Sequence, residues 1–153
     1  MTARTIVLDA NVLIRAVLGS KVPELLIRHA EHANFAAPDT AFEEARRHLP
    51  SVLRKRGASE ATVEAAMAKL DAIGALVLSV PMDSFGPMKE RALARIAWRD
   101  PADWPVLACA LAMDCPVWTE DADFFGTDVA TWMTALVNLY FTENAPATRL
   151  AAN

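Results

Sequence analysis

Cysteine is scarce in this chain, with only Cys109 and Cys115. Their spacing fits neither a zinc ribbon nor a CxxC redox pair, and it gives no disulfide framework. Buried, reduced thiols are expected, consistent with the cytosol. Long apolar runs are missing too. No stretch approaches the roughly 18 residues of a membrane span, and the N-terminus lacks the charged-then-apolar pattern of a signal peptide. Positive charge is not in excess: 15 Lys and Arg face 19 Asp and Glu, a formal net charge of −4. A whole-surface basic footprint for nucleic acid is thereby excluded, so any such contact rests on a local patch. There is no GxGxxG or Walker loop, which disfavours an α/β phosphatase or nucleotide-binding protein. Repeats, low-complexity blocks and internal linkers are absent. What remains is 153 residues, 54% hydrophobic and 22% charged, enough for one domain with a sizeable core.

Thr5-Ile6-Val7-Leu8 is a short apolar run with β-branched residues and reads as a buried strand ending on Asp9. Helical spacing follows over Val12–Leu18, stopped by Gly19. A second helix is expected from Glu24 to about His32, with Pro23 in its first turn. Residues 34–37 read as a second strand, and Asp39 or Thr40 as the cap of a helix that Pro50 interrupts or bends. Ser59 caps an Ala-rich helix running to about Ile73 and ended by Gly74. A third strand is expected over 75–80. A helix then starts at Asp83 or Ser84, settles after Pro87 and ends near Trp98. A loop over 99–103 leads into a helix carrying Val106, Leu107, Ala110, Leu111 and Met113. Residues 115–119 read as a fourth strand and 129–132 as a fifth. The segment from Thr134 is apolar as far as Phe141, and the chain is expected to fray after about Asn144. Strands alternating with helices imply right-handed βαβ units and a parallel sheet covered on both faces.

That alternation gives the acids a common address. Asp9 ends the first strand, and Asp121 and Asp123 follow the fourth. Glu43 and Glu44 lie in the first turns of the helix after the second strand, and Asp100 and Asp103 precede the helix before the fourth. In a parallel sheet, strand ends and the starts of following helices share one edge, where ligands bind. Carboxylates gathered there repel and raise one another's pKa, and a divalent cation relieves the repulsion. An oxygen-only donor set favours Mg²⁺ or Mn²⁺ over Zn²⁺. The chemistry that follows is metal-assisted hydrolysis of a phosphodiester.

Three segments carry a resemblance to a known family. Asp9-Ala10-Asn11-Val12-Leu13 resembles the opening motif of PIN domains. Asp100-Pro101-Ala102-Asp103 with Leu107-Ala108-Cys109-Ala110, and Trp118-Thr119-Glu120-Asp121-Ala122-Asp123-Phe124, resemble the family's later two. The resemblance covers roughly residues 4–133. It implies a three-layer α/β/α fold around a parallel sheet of four or five strands, with residues 1–133 as the nuclease domain. Residues 134–153 are then an extension, part of the same domain or a frayed tail. It also implies a Mg²⁺- or Mn²⁺-dependent ribonuclease, often a VapC-like toxin held inactive by an antitoxin. Position by position, Asp9, Glu44, Asp103 and Asp121 match the family's four acids and become the expected catalytic and metal-binding residues. Glu43 and Asp123 stand beside them as alternatives, and Asp100 reads as a turn or cap. Asn11 and Thr119 match positions that orient the acids.

The basic cluster Arg46, Arg47, Arg54, Lys55 and Arg56 reads as a solvated helix face or as a groove for RNA phosphates. Lys89, Arg91, Arg95 and Arg99 add to that groove or meet an acidic antitoxin segment. His29 and His32 share a helix face without reading as a metal pair. Trp98, Trp104, Trp118 and Trp132 read as core or interface rather than base-stacking residues. Leu136, Val137, Leu139, Tyr140 and Phe141 suggest self-association as a homodimer or a groove for a partner. A PIN-like module that binds RNA or protein without cutting is the competing function.

Overall fold

The computed structural model describes residues 3–96 and 98–142. Its sheet has five strands: β1 (Arg4–Leu8), β2 (Ala33–Pro38), β3 (Val77–Val80), β4 (Val117–Trp118) and β5 (Thr131–Trp132). Every pairing is parallel and the order is β3-β2-β1-β4-β5. The chain moves outward from β1 to β2 and β3, then returns to the other side of β1 for β4 and β5. The strand order therefore reverses between β1 and β4, and in open parallel sheets a crevice forms beyond the strand ends at that point.

Eight α-helices are described: α1 (Ala10–Leu18), α2 (Lys21–His29), α3 (Asp39–Lys55), α4 (Glu60–Ile73), α5 (Met82–Phe85), α6 (Lys89–Ile96), α7 (Trp104–Met113) and α8 (Val137–Phe141). Successive strand side chains point to opposite faces, so β1 feeds two cores. Ile6 and Leu8 pack with α1 to α4 and α8, while Val7 packs with α5 to α7. With both faces covered, the strands need no polar alternation, and Ile6, Val7 and Leu8 are all fully buried. The result is the expected three-layer architecture, with β5 as the fifth strand.

Several boundaries move. Helix α2 starts at Lys21 and ends at His29, leaving Pro23 in its first turn. Pro50 does not interrupt α3, which continues to Lys55. Asp39 is the first residue of α3, and its Oδ2 accepts the Met82 N–H at the start of α5 (3.3 Å) instead of capping its own helix. The helix expected from Asp83 to Trp98 is divided by a 3₁₀ turn over Gly86–Met88. Pro87 has no N–H to donate at that point. Strands β4 and β5 are only two residues each.

The apolar stretch after Thr134 forms α8, and three of its residues turn inward. Val137, Tyr140 and Phe141 are buried, whereas Leu136 and Leu139 stay exposed. Tyr140 donates its hydroxyl to the Thr5 carbonyl (2.8 Å). Phe141 meets Phe35 and Trp118 edge-on. His29 Nε2 lies 2.7 Å from Asn138 Oδ1, and His29 Nδ1 lies 2.8 Å from His32 Nε2. His29 thus joins α2 to α8, with His32 bonded behind it. The expected fraying after Asn144 lies outside the described residues.

Candidate metal centre

Asp9 is the residue after β1 and the N-cap of α1. Its backbone is extended (φ −76°, ψ 161°), and its Oδ1 accepts the Ala10 N–H at 2.7 Å. Such a cap satisfies one of the free donors at a helix start. Oδ2 accepts from the Thr119 hydroxyl (2.7 Å) and from Asn11 Nδ2 (2.9 Å). Thr119 immediately follows β4 and is fully buried. Its Oγ1 donates to Asp9 and accepts from Asn11 Nδ2 (3.2 Å) and the Asp121 N–H (2.9 Å). Asn11 Oδ1 accepts the Glu120 N–H (3.2 Å). These bonds tie the ends of β1 and β4 together, as the parallel pairing of Leu8 with Trp118 allows.

Asp103 closes a 3₁₀ turn over Pro101–Asp103, and Asp100 opens it. Side chains three apart eclipse on a 3₁₀ turn, so the two carboxylates share a side. Asp100 Oδ1 accepts the Ala102 N–H (3.0 Å). A second 3₁₀ turn, Ala122–Phe124, follows β4, and Asp121 Oδ1 caps it by accepting the Asp123 N–H (2.9 Å). Among the described residues, Asp100, Asp103 and Asp123 each offer a carboxylate oxygen within 4.8 Å of the other two. This tight group holds one acid of the expected four. Its other two members are the residue read as a turn or cap and the neighbour of Asp121. Asp100 does cap its turn, but a carboxylate has two oxygens.

Three further acids, Asp9, Asp121 and Glu44, lie near enough for their charge to bear on Asp103. Burial pushes the Asp103 carboxyl up to about 8, and the charges of Asp9, Asp100, Asp121 and Glu44 add to the rise. Burial also raises Asp9, opposed by the bonds from Thr119 and Ala10 and reinforced by Glu44 and Asp121. Glu44 is exposed on the first turns of α3, yet its charge bears on both. Asp103 Oδ2 is buried and has no hydrogen-bond partner. A buried carboxylate oxygen without a partner, on an acid grouped with the carboxylates of Asp100 and Asp123, fits a hard divalent cation.

The basic turn after α3 lies apart from the acids, whereas Arg99 adjoins Asp100 and donates to the Ala122 carbonyl. Arg54 pairs with Glu60 (3.1 Å) and Arg46 with Asp71 (3.2 Å), all at the surface. Arg54 lies ten residues beyond Glu44 on α3, about 15 Å along the axis, so the basic turn does not border the acids. A cavity of about 650 Å³ lies at the other edge of the sheet, between Arg4, Arg91, Arg95 and the loop before β4. Its lining includes none of Asp9, Glu44, Asp100, Asp103, Asp121 and Asp123. The cysteines are free, and burial pushes both thiols up to about 12, leaving them unreactive.

The chain is similar to a solved structure, a chain of the crystal structure of VapBC2 from Rickettsia felis bound to a DNA fragment from their promoter. The TM-score is 0.66 at 12% identity, covering 84% of this chain and 98% of that one. At that identity the likeness speaks for the fold. No curated protein matches the sequence. The PIN domain family matches over residues 7–142, from the end of β1 through α8. This chain belongs to the PIN domain family.

Proposed function

We propose that this protein is a metal-dependent endoribonuclease that hydrolyses RNA phosphodiester bonds, acting in the cytoplasm as the toxin of a type II toxin–antitoxin pair. The observation that carries the reading is the bare, buried Asp103 oxygen among five further acids at the point where the strand order reverses. Membership of the PIN family supports nuclease chemistry. The VapBC2 neighbour, itself a complex bound to promoter DNA, supports an antitoxin as partner. Among the described residues no helix is long and apolar enough to cross a membrane. Exposed Leu136 and Leu139 leave room for a homodimer contact.

Asp103, with Asp100 and Asp123, would hold one Mg²⁺ or Mn²⁺, and Asp9 would complete the set. When bound, such an ion lowers the pKa of a coordinated water and offsets charge on a phosphoryl oxygen. Thr119 and Asn11 fix the orientation of Asp9 and favour its ionised form. Asp121, held at the same threonine, and Glu44, open to solvent, would orient the attacking water or take its proton.

The test is cleavage of single-stranded RNA by purified protein with Mn²⁺ or Mg²⁺. Chelation should stop it. Asp9→Asn and Asp103→Asn should each lower the rate beyond the roughly 10–100-fold typical of losing a ligand's supporting partner. Equal cleavage by wild type and both variants would place the activity elsewhere. RNA binding without Mn²⁺ uptake or cleavage would favour the non-cutting module.

A further inference from the structure

Two aromatic side chains stand outside the core beside the acids. Trp98, two residues before Asp100, is 68% exposed; Phe125, two residues after Asp123, is 43% exposed. The other tryptophans are placed otherwise. Trp118 and Trp132 are buried, and Trp104 packs on Phe85 with the Lys89 ammonium 4.9 Å above its ring.

Trp98 is exposed but not loose. Its Nε1 donates to the Arg95 carbonyl (3.2 Å), and the Arg99 guanidinium lies 4.3 Å from its ring centre. Arg99 also donates to the Ala122 carbonyl (2.9 Å), and Arg95 to the Thr127 carbonyl (3.0 Å). Two arginines therefore clip the segment carrying Trp98, Asp100 and Asp103 to the segment carrying Asp123 and Phe125. Gly126, at φ +85°, turns the chain directly after Phe125. A stacked, hydrogen-bonded indole facing solvent is a prepaid surface for a flat ligand, since little of its freedom remains to be lost on binding.

Charge narrows the ligand. The chain is net negative, and the cluster itself is acidic. Phosphate contacts alone would hold a nucleic acid poorly here. Base stacking on aromatic rings supplies affinity without net positive charge, and it needs bases that are not already paired.

We infer that Trp98, backed by Arg99, is a nucleobase subsite that seats an unpaired base of single-stranded RNA next to the acidic cluster, with Phe125 on the loop that Arg99 ties to it. The inference rests on the nuclease reading above and names a residue that seats its substrate. An RNA whose bases are locked in a duplex cannot occupy the subsite.

Stopped-flow tryptophan fluorescence tests it, with the full-length chain mixed with an eight-nucleotide oligouridylate in Mn²⁺ buffer. Trp98 is the open indole, so its stacking should quench the emission within milliseconds, before cleavage. Trp98→Ala should abolish the quench and weaken oligonucleotide binding by roughly 5- to 150-fold, the cost of one base–aromatic stack. Trp98→Tyr should restore the binding, and Phe125→Ala should weaken it less than Trp98→Ala does. Mn²⁺ uptake and the thermal midpoint should be unchanged in all three. A blunt-ended RNA duplex should give no quench. If Trp98→Ala binds and cuts the oligonucleotide like wild type, the subsite is wrong while the nuclease reading stands. If wild type quenches but never cuts with any metal, the nuclease reading fails and the subsite survives. Absence of any quench in wild type overturns the subsite.

Discussion

At the scale of single residues, the molecule holds a carboxyl group in a place that disfavours its charge. Asp103 has a buried oxygen without a partner and an affinity for protons raised to about 8. The sign of the consequence follows. A carboxyl that binds its proton more tightly when folded than when unfolded makes folding less favourable as pH rises. The penalty is absent below the ordinary aspartate value near 3.8, grows between there and about 8, and is constant above. Removing the ionisable group removes the penalty. Asp103→Asn should therefore raise the thermal midpoint of the metal-free protein, by roughly 2–4 °C for each kcal/mol relieved. The gain should be larger at pH 9 than at pH 5. Melting curves at the two pH values check this; a gain independent of pH would mean that Asp103 is not strained by its charge. His29 runs in the other direction, since burial lowers its pKa. It stays neutral, bonded to Asn138 and His32, and its contribution is lost as pH falls below about 6.5.

At the scale of elements, α8 is the piece whose role the sequence concealed. Its alternation of apolar and polar residues is too short to distinguish a docked helix from an exposed apolar tail. Only the aromatic contacts of Phe141 with Phe35 and Trp118, and the bond from Tyr140 to Thr5, show that it closes one face of the sheet. Phe141→Ala should cost about 3–5 kcal/mol, the range for emptying a buried phenylalanine site, with Leu139→Ala nearly neutral. Urea denaturation measures both. Comparable small effects would mean that α8 is not part of the core. The central strand and its acid were legible, because Ile6-Val7-Leu8 can only be buried and Asp9 must then lie at its end. The acids after β4 were legible as a group, but not which of them turns inward. Asp100, Asp103 and Asp123 meet because two short 3₁₀ turns aim them, and one-turn geometry leaves almost no trace in composition. A signal existed nonetheless: an Asp three residues before another, with Pro between them opening the turn. The exposure of Trp98 was not legible at all. It depends on Arg95 and Arg99 clipping two loops together, a contact across the chain.

At the scale of the whole molecule, one topological fact organises the rest. The chain reverses direction across the sheet between β1 and β4, and Asp9 and Thr119 stand on either side of that reversal, hydrogen-bonded to each other. The loops before α7 and after β4 bring Asp100, Asp103 and Asp123 to the same rim. A cavity of about 650 Å³ at the opposite edge, with Arg4, Arg91 and Arg95 in its lining, holds none of these acids. Calorimetric titration with Mn²⁺ probes the central claim most directly. One ion should bind per chain with release of a proton at pH 7, and at 100 times Kd it should stabilise the fold by about 2.7 kcal/mol. Asp9→Asn and Asp103→Asn should abolish that uptake, while Asp114→Asn, at the arginine-lined cavity, should leave it intact. Undiminished Mn²⁺ binding by Asp103→Asn, or none by the wild type, would contradict the account.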